Sequence, residues 1–518
     1  MLSAFSIWAD HLRHREGKSR YMSALLYGAL AALAFPPFNA IATLWFCFPA
    51  LVFLLQGTTK LRQAFFVGWC FSFALLVISL YWITGSMLVD IKSFWWAVPL
   101  SLTGLPAMFA FYYGAAVLVA KRWGLQRLDG LLILALTWFL ADFARGHLMT
   151  GFPWDIMGYV WGDVLPVMQI TSVIGIYGLT LLTLALVVLP AALFVPMRNR
   201  FSVPVFVFSL VLLGAAAGWG SWRLAHASDA VVADVRLRLV QTNVEQSLKW
   251  RESEREKNFQ DLLDTTFAPA GKTVTHFVWP ETATGYYLTE ANEKRKEIAA
   301  RMPPGSHLIT GVVRRGPDAN FDLAYYNSLI ALDNRANVVA GYDKFHLVPF
   351  GEYIPFGSLL PIRTLVAIGS GFTAGEGPRT VRVAGLPPFS PLICYEVIFP
   401  GDVIDESDPP QFLLNLTNDA WYEHTIGPYQ HFMIARTRAI EEGMPLVRVA
   451  NKGVVAVVDS YGRPKAELGW EKAAFVDSDL PQALGEKTLF QRFGWELLWG
   501  LGGLFLAMAV FLRIRAKK

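Results

Sequence analysis

The chain has 518 residues, 54% of them hydrophobic and only 17% charged, with a mean hydropathy of +0.38. Soluble chains carry about 25% charged residues, so a wholly soluble protein is excluded. A formal net charge of +4 is too small for a chain of this length to mark a nucleic-acid binder, and no nucleic-acid partner is expected.

Long apolar runs fill most of residues 21–220. A bilayer-crossing helix needs about 17–25 mostly apolar residues. Seven spans are read, at 21–36, 41–57, 64–85, 93–119, 129–144, 164–195 and 202–222. Pro36-Pro37 marks the turn between the first two, and the sixth run is long enough to tilt or to extend beyond the bilayer. An eighth span lies at 494–512, and the 18 Trp residues suit a protein with interfacial aromatics. Ala32-Leu33-Ala34 resembles the end of a signal peptide, but Phe35-Pro36-Pro37 follows it and favours retention.

Basic residues alternate with the spans. Arg13, Arg15, Lys18 and Arg20, then Lys60 and Arg62, then Lys121, Arg122 and Arg127, then Arg198 and Arg200, and finally Arg513, Arg515, Lys517 and Lys518 fall on one side. The opposite short loops offer Lys92 and Arg145. By the positive-inside rule both termini are cytoplasmic and the long segment between spans seven and eight lies outside. The division expected is 1–228 for seven spans, 229–488 for an extracytoplasmic domain, and 489–518 for the last span and a cytoplasmic tail.

The long segment has a different texture. Strands are expected at Val235–Val240, Val274–Trp279, His307–Val313, Tyr325–Leu332, Pro391–Cys394, Gln411–Leu416, Pro445–Val449 and Val454–Asp459. Helices are expected at Trp250–Thr266, Ala291–Ala300 and Tyr429–Glu442. This order predicts a sheet domain with helices packed on it. Lys344 to Gly377, with Pro349, Pro355, Gly357, Gly369, Gly371 and Gly375, reads as a long loop of the kind that forms lids, and Phe350, Tyr353, Ile354 and Phe356 would let it touch lipid.

Three cysteines are present, Cys47 and Cys70 in apolar runs and Cys394 at the end of a strand. Their spacing predicts neither a disulfide framework nor a zinc site, and no metal or cofactor is expected. Cys394 taken alone reads as a buried core thiol; the neighbouring Glu396 argues against a deep core position. Glu281 follows a strand in Val278-Trp279-Pro280-Glu281, and Lys344 lies in Tyr342-Asp343-Lys344-Phe345-His346. Alone, each reads as a solvated charge. His346 is a weaker candidate partner for the thiol.

In combination they mean more. Trp279-Pro280-Glu281, Lys344 ahead of Leu347-Val348-Pro349-Phe350-Gly351-Glu352, and Ile393-Cys394-Tyr395-Glu396 resemble the signature of the carbon–nitrogen hydrolase, or nitrilase-like, superfamily. That resemblance implies an αββα sandwich with a Glu-Lys-Cys triad. The whole chain is similar to the apolipoprotein N-acyltransferase family, on Leu33-Ala34-Phe35, Arg145-Gly146, Thr150 to Trp154, Gln246 to Trp250 and Asn418-Asp419-Ala420-Trp421. This second resemblance implies a multi-pass enzyme of the bacterial inner membrane with a periplasmic catalytic domain. Its acyl donor would be a phospholipid. Its acceptor would be the α-amine of a diacylglyceryl-cysteine lipoprotein.

The implied roles are Cys394 as nucleophile, Glu281 as proton acceptor and Lys344 as stabiliser of thiolate and oxyanion. Glu352 and Glu396 would support them, by orienting Lys344 and shaping the site. The Tyr395 N–H would be a second oxyanion donor. Trp250 and Trp421 would wall the substrate site or simply pack in the core, and Arg145 would hold a lipid phosphate or anchor at the interface. Two competing readings are a membrane-tethered amidase that uses water, and a transporter with a binding domain.

Overall fold

A computed structural model describes residues 2–195, 200–269, 271–318, 320–355, 364–365, 371–422, 424–469 and 473–515. Arg198, Phe356, Gly357, Gly369, Lys517 and Lys518 lie outside the described residues. The chain divides into two compact units, one of residues 1–84, 94–226 and 488–518, the other of residues 85–93 and 227–487.

The first unit is helical. By length and composition, five stretches of helix are apolar enough to cross a membrane among the described residues: Leu61–Leu88, Leu100–Trp123, Thr171–Leu193, Ser202–Ala225 and Leu489–Arg515. Leu44–Gln56 is apolar but short, Gly17–Ala32 has 16 residues, and Leu128–His147 carries Asp129, Asp142 and Arg145 within its 20. The sequence reading left the helix Leu2–Arg13 unassigned. The sixth run, read as one long span, is broken at Gly175 (φ 65°, ψ 176°) and tightens into a 3-10 turn at Leu189–Leu193. Gly175 takes a backbone conformation closed to other residues, and that interrupts the helix.

Packing within this unit is close. A Cβ on Gly28 would stand 1.9 Å from the Phe71 carbonyl oxygen, so the helices Gly17–Ala32 and Leu61–Leu80 meet backbone to backbone. Basic residues converge on shared helix ends. Lys121 Nζ donates to the Leu55 and Thr58 carbonyls at 2.8 Å each, Arg20 to Gly57 O at 3.0 Å, and Arg13 to Gln56 Oε1 at 2.7 Å. Arg513 donates to Trp123 O at 2.7 Å. Lys121, Arg20 and Arg513 donate to carbonyls at or just past helix C-termini, while Arg13 binds the Gln56 side-chain amide.

The second unit contains eleven strands among the described residues: β1 (Val231–Gln241), β2 (His276–Val278), β3 (His307–Pro317), β4 (Leu323–Asp333), β5 (Val338–Asp343), β6 (Phe389–Ile393), β7 (Phe412–Asn418), β8 (Leu446–Asn451), β9 (Val455–Val458), β10 (Pro464–Leu468) and β11 (Ala474–Pro481). They form two sheets, ordered β11-β1-β2-β3-β4-β5 and β10-β9-β8-β7-β6. The period of two along each strand sorts residues between layers. Leu237, Leu239, Val278, Ile309 and Leu329 face the second sheet and pack with Leu414, Leu416, Val447, Val449 and Val457. Their neighbours Phe277, Trp279, Leu308, Ile330 and Leu332 face outward, onto Phe259, Leu262, Leu263 and Ile298 of the helices Glu252–Thr266 and Asn292–Arg301. The helix Gly427–Glu442 packs against β8 on the other side. The result is the αββα sandwich implied by the resemblance.

Strands β1, β2 and β3 are mutually parallel, as are β6, β7 and β8. Catalytic groups gather beyond the C-terminal ends of such strands, which is where Glu281, Cys394 and Asp419 stand.

Arg238 closes the first sheet. It is buried on β1, donates to both carboxylate oxygens of Asp477 on β11 at 2.7 and 2.8 Å, and reaches Thr266 O at 3.0 Å. Its guanidinium lies 3.7 Å from the Phe475 ring centroid. Arg238→Ala would leave a carboxylate and a carbonyl without these partners, at a cost of about 3 kcal/mol. Thermal melts in detergent should show a marked fall in Tm for this variant, while Lys296→Ala, which removes an exposed ion pair, should melt like the parent.

Candidate active site

Glu281 sits in the turn that follows β2. The turn is tight: Thr282 has φ +43°, a strained value for a β-branched residue. Gly311 on β3 makes room for it, since a Cβ there would stand 2.5 Å from Glu281 Cα and 2.6 Å from Thr282 N. Gly311 N donates to Pro280 O at 3.2 Å and Ala283 N to Gly311 O at 3.0 Å, fixing the turn to the sheet.

Lys344 follows β5 and is buried. Its ammonium contacts both oxygens of Glu352, at 3.0 and 2.8 Å. Asn327 of β4 bridges the two carboxylates, donating to Glu281 Oε1 at 2.6 Å and Glu352 Oε1 at 2.9 Å. Val348 N donates to Glu352 Oε2 at 2.8 Å. Lys249 approaches Glu281 from the loop after β1: its Nζ donates to Glu281 O at 3.2 Å and Thr282 Oγ1 at 2.8 Å.

Cys394 ends β6 with φ +52°, so the chain turns sharply at the thiol. Glu396 pins that turn to the neighbouring sheet. It accepts from Ile393 N at 2.6 Å, Phe345 N at 2.8 Å, His346 N at 3.3 Å and Tyr342 OH at 2.7 Å. One carboxylate thus holds the residue before Cys394 and the residue after Lys344. Behind the nucleophile, His431 Nε2 lies 3.3 Å from Cys394 O and its Nδ1 lies 2.9 Å from Asp419 Oδ1. Asp419 is also bound by Arg448 Nη2 and Tyr422 OH, at 2.9 Å each.

Electrostatics follow from burial. Burial pushes the Cys394 thiol up to about 12; the charge of Glu281 adds to this, and Lys344 opposes it. Burial also raises Glu281, against the pull of Lys344, while Glu352 raises it further. Glu396 is pushed up to about 7 by burial, against its donors. Lys344 is held above the usual lysine range: burial disfavours its charge, but Glu352, Glu281 and Cys394 outweigh that. Glu281, Lys344 and Cys394 therefore sit within reach of one another's charges, the arrangement a thiol needs to lose its proton and attack a carbonyl. Among the described residues no group of three or more His, Cys, Asp or Glu side chains is placed to hold a metal ion.

The other expected residues are placed unevenly. Tyr395 is the second residue of the 3-10 turn Cys394–Ile398, and its ring packs on His346 and Phe399. His346 stacks on Phe399 at 3.7 Å between centroids. Trp250 is 43% exposed beside Lys249, and Trp421 is partly buried in the turn after β7. Arg145 is a correction. It does not present a phosphate-binding face: it is buried, with Nε on Tyr113 OH at 3.0 Å, Nη1 on Phe152 O at 2.9 Å and Nη2 on Asp142 at 3.4 Å. A guanidinium spent on three internal partners acts as a strut.

Residues 27–189 match the apolipoprotein N-acyltransferase N-terminal domain family, and residues 236–488 match the carbon-nitrogen hydrolase family. The apolipoprotein N-acyltransferase of Rhodopseudomonas palustris is 38% identical over 520 residues, covering 96% of each chain. Those of Agrobacterium fabrum and Brucella suis are 34% and 38% identical, covering 96% and 90% of this chain and the same shares of their own. The chain belongs to the apolipoprotein N-acyltransferase family. Its second unit carries the carbon-nitrogen hydrolase domain of that family.

Sequence reasoning missed Asn327, Lys249, Asp419, His431 and Arg448 as parts of the site. Asn327 had a signal, a lone amide in the apolar run Ser328-Leu329-Ile330-Ala331-Leu332 and its approach. His431 and Arg448 had none, since only the fold brings them behind Cys394. Gly311→Ala should push the Glu281 turn away and slow acyl transfer about 100-fold, in a protein that still melts cooperatively. Glu396→Gln replaces two acceptor oxygens with one and should slow it by at least about tenfold; equal reactivity in either variant would mean the turn positions are not coupled to the thiol.

Proposed function

We propose that this enzyme is an apolipoprotein N-acyltransferase that carries a fatty acyl chain on Cys394. The observation that carries the reading is the group of buried Glu281 and Lys344 with half-buried Cys394, each charge acting on the others, in a chain alike to named apolipoprotein N-acyltransferases over nearly its whole length. Glu281 takes the thiol proton as Sγ attacks the ester carbonyl of a phospholipid. Lys344 and the Tyr395 N–H stabilise the oxyanion. The lysophospholipid alkoxide leaves with the proton from Glu281, and a thioester remains. The α-amine of a diacylglyceryl-cysteine lipoprotein then attacks that thioester, Glu281 takes the amine proton, and the Cys394 sulfur departs and is reprotonated. An amide is formed and the enzyme is restored.

With its thiol pushed up to about 12, Cys394 holds almost no free thiolate at neutral pH. Proton removal therefore belongs to the attack itself, which is why a base must stand beside it. Glu352 and Glu396 position Lys344 and the nucleophile turn. Trp250 and Phe350, both exposed, face the acyl chain or the acceptor.

The proposed topology has eight spans, divided as 1–228, 229–488 and 489–518. Both termini are in the cytoplasm and the catalytic domain is outside the inner membrane. Support comes from the alternation of basic loops and from Arg13, Arg20 and Lys121 meeting at one turn, 55–58. Both substrates are then held in the same leaflet.

Incubation of the purified protein with phospholipid should add one acyl mass to the intact chain, lost in Cys394→Ser. Addition of a diacylated lipopeptide should yield N-acylated peptide and regenerate the free thiol. Fatty acid or ammonia as sole product would instead mark a hydrolase. Burial raises Glu281, so its base form is lost as pH falls through a value above the ordinary carboxylate range of about 4.3. The acylation rate should fall on that limb, and Glu281→Gln should lower it about 100-fold or more across the whole pH range.

A further inference from the structure

A second buried ammonium, that of Lys249, reaches the backbone of the Glu281 turn. Lys249 is 5% exposed, and its Nζ donates to the Glu281 carbonyl and the Thr282 hydroxyl, at 3.2 and 2.8 Å. Thr282 is the residue with the strained φ of +43°. The bond to its Oγ1 therefore falls on the one turn residue whose backbone needs outside support. The loop that carries Lys249 is itself anchored on the other sheet. Gln246 Oε1 accepts from Asn418 Nδ2 at 2.7 Å, while Val244 exchanges two bonds with the Asn451 side chain, both at 3.0 Å. Asn418 and Asn451 end β7 and β8, beside the strand that delivers Cys394. Lys249 is thus the last link of a bridge from the nucleophile's sheet to the base's turn.

We propose that Lys249 is a positioning residue for the acyl transfer: it fixes the Glu281 turn relative to the Cys394 sheet, and its charge keeps Glu281 ionised. The proposal rests on the assignment of Glu281 as base. The charged and titratable groups that act on Glu281 are Lys344, Glu352, Lys249 and Cys394, with Asn327 as hydrogen-bond donor. Lys344 is already paired with Glu352. Two carboxylates against one ammonium would leave this pocket with a net negative charge, opposing both an ionised base and a developing thiolate. Lys249 supplies the missing positive charge. Burial draws Lys249 down to about 8, with Glu281 holding it up, so the amine is still mostly charged at neutral pH.

The test is the pH dependence of acyl-enzyme formation, followed by intact mass with phospholipid on the full chain in detergent. Lys249→Met should move the acidic limb up by about one pH unit, because removing a nearby positive charge raises the carboxylate it faced. Lys249→Gln, which keeps a donor for Thr282 Oγ1 but no charge, should move it as far. Lys249→Arg should leave the limb in place and lose rate only through geometry. If both neutral variants keep the limb of the parent while rates fall evenly at all pH values, Lys249 is only a structural tie and the proposal fails. If the limb survives Glu281→Gln, the base has been misassigned and the proposal falls with it.

Discussion

The catalytic unit is organised around carboxylates and ammoniums set close together out of water. Glu281, Glu352, Lys344 and Lys249 are each at most 7% exposed. Isolated, each would cost several kcal/mol to bury and would neutralise instead. Two carboxylates and two ammoniums meet at the Glu281 turn, and Asn327 bridges the carboxylates. Lys344 and Lys249 both oppose the rise that burial gives Glu281, so neither can be deleted cheaply. The fold follows this demand: Gly311 opens space for the Glu281 turn, Asn327 interrupts an otherwise apolar strand, and the loop after β1 folds inward to deliver an ammonium.

In the mechanism proposed above, this pocket also lets a half-buried thiol that keeps its proton be usable. Cys394 is one proton away from adding a fifth charge. At rest that proton stays on sulfur, because burial and the Glu281 carboxylate both oppose thiolate. In that mechanism, when a carbonyl carbon is presented, negative charge passes from sulfur to the oxyanion as the proton passes to Glu281, and the net charge of the pocket does not change. The energetic penalty for a free buried thiolate is never met. What must be controlled instead is distance, and the rigid parts serve that end. Glu396 clamps Ile393 to Phe345, and His431, held by Asp419, backs the Cys394 carbonyl.

Much of this was legible in the chain, for identifiable reasons. Glu281, Lys344 and Cys394 follow strands and stand in short motifs, so local sequence carries them. The alternation in Leu237, Leu239 and Val278 announces a sandwich layer. By contrast β5, β10 and β11 were not read, since β5 and β10 lie at sheet edges with exposed residues. The acidic pattern Asp477-Ser478-Asp479 of β11 makes sense only once Arg236 and Arg238 are seen opposite. Arg145 misled for the same reason. An arginine beside a membrane span suggests a lipid phosphate until Tyr113, 32 residues away, is found against it. Residues whose role is set by a distant partner give no local signal, and Lys249 and His431 are of that kind.

The protonated resting thiol bears on where such an enzyme can work. A low-pKa cysteine is fast but open to oxidation and disulfide exchange, because both proceed through thiolate. In the topology proposed above, the domain faces a compartment that favours disulfides, and Cys47 and Cys70 belong to the helical unit. A thiol raised to about 12 is nearly inert there. Reactivity is conferred only when a substrate carbonyl can accept the negative charge beside Lys344. Burial is then a selection device: a soluble oxidant that enters without a carbonyl meets a protonated sulfur, whereas an ester held against Lys344 meets a nucleophile. The cost is dependence on a base whose own proton affinity is raised by the same burial. Lys344 and Lys249 both oppose that rise, and on the proposed mechanism they together keep one glutamate basic enough to react and ionised enough to begin.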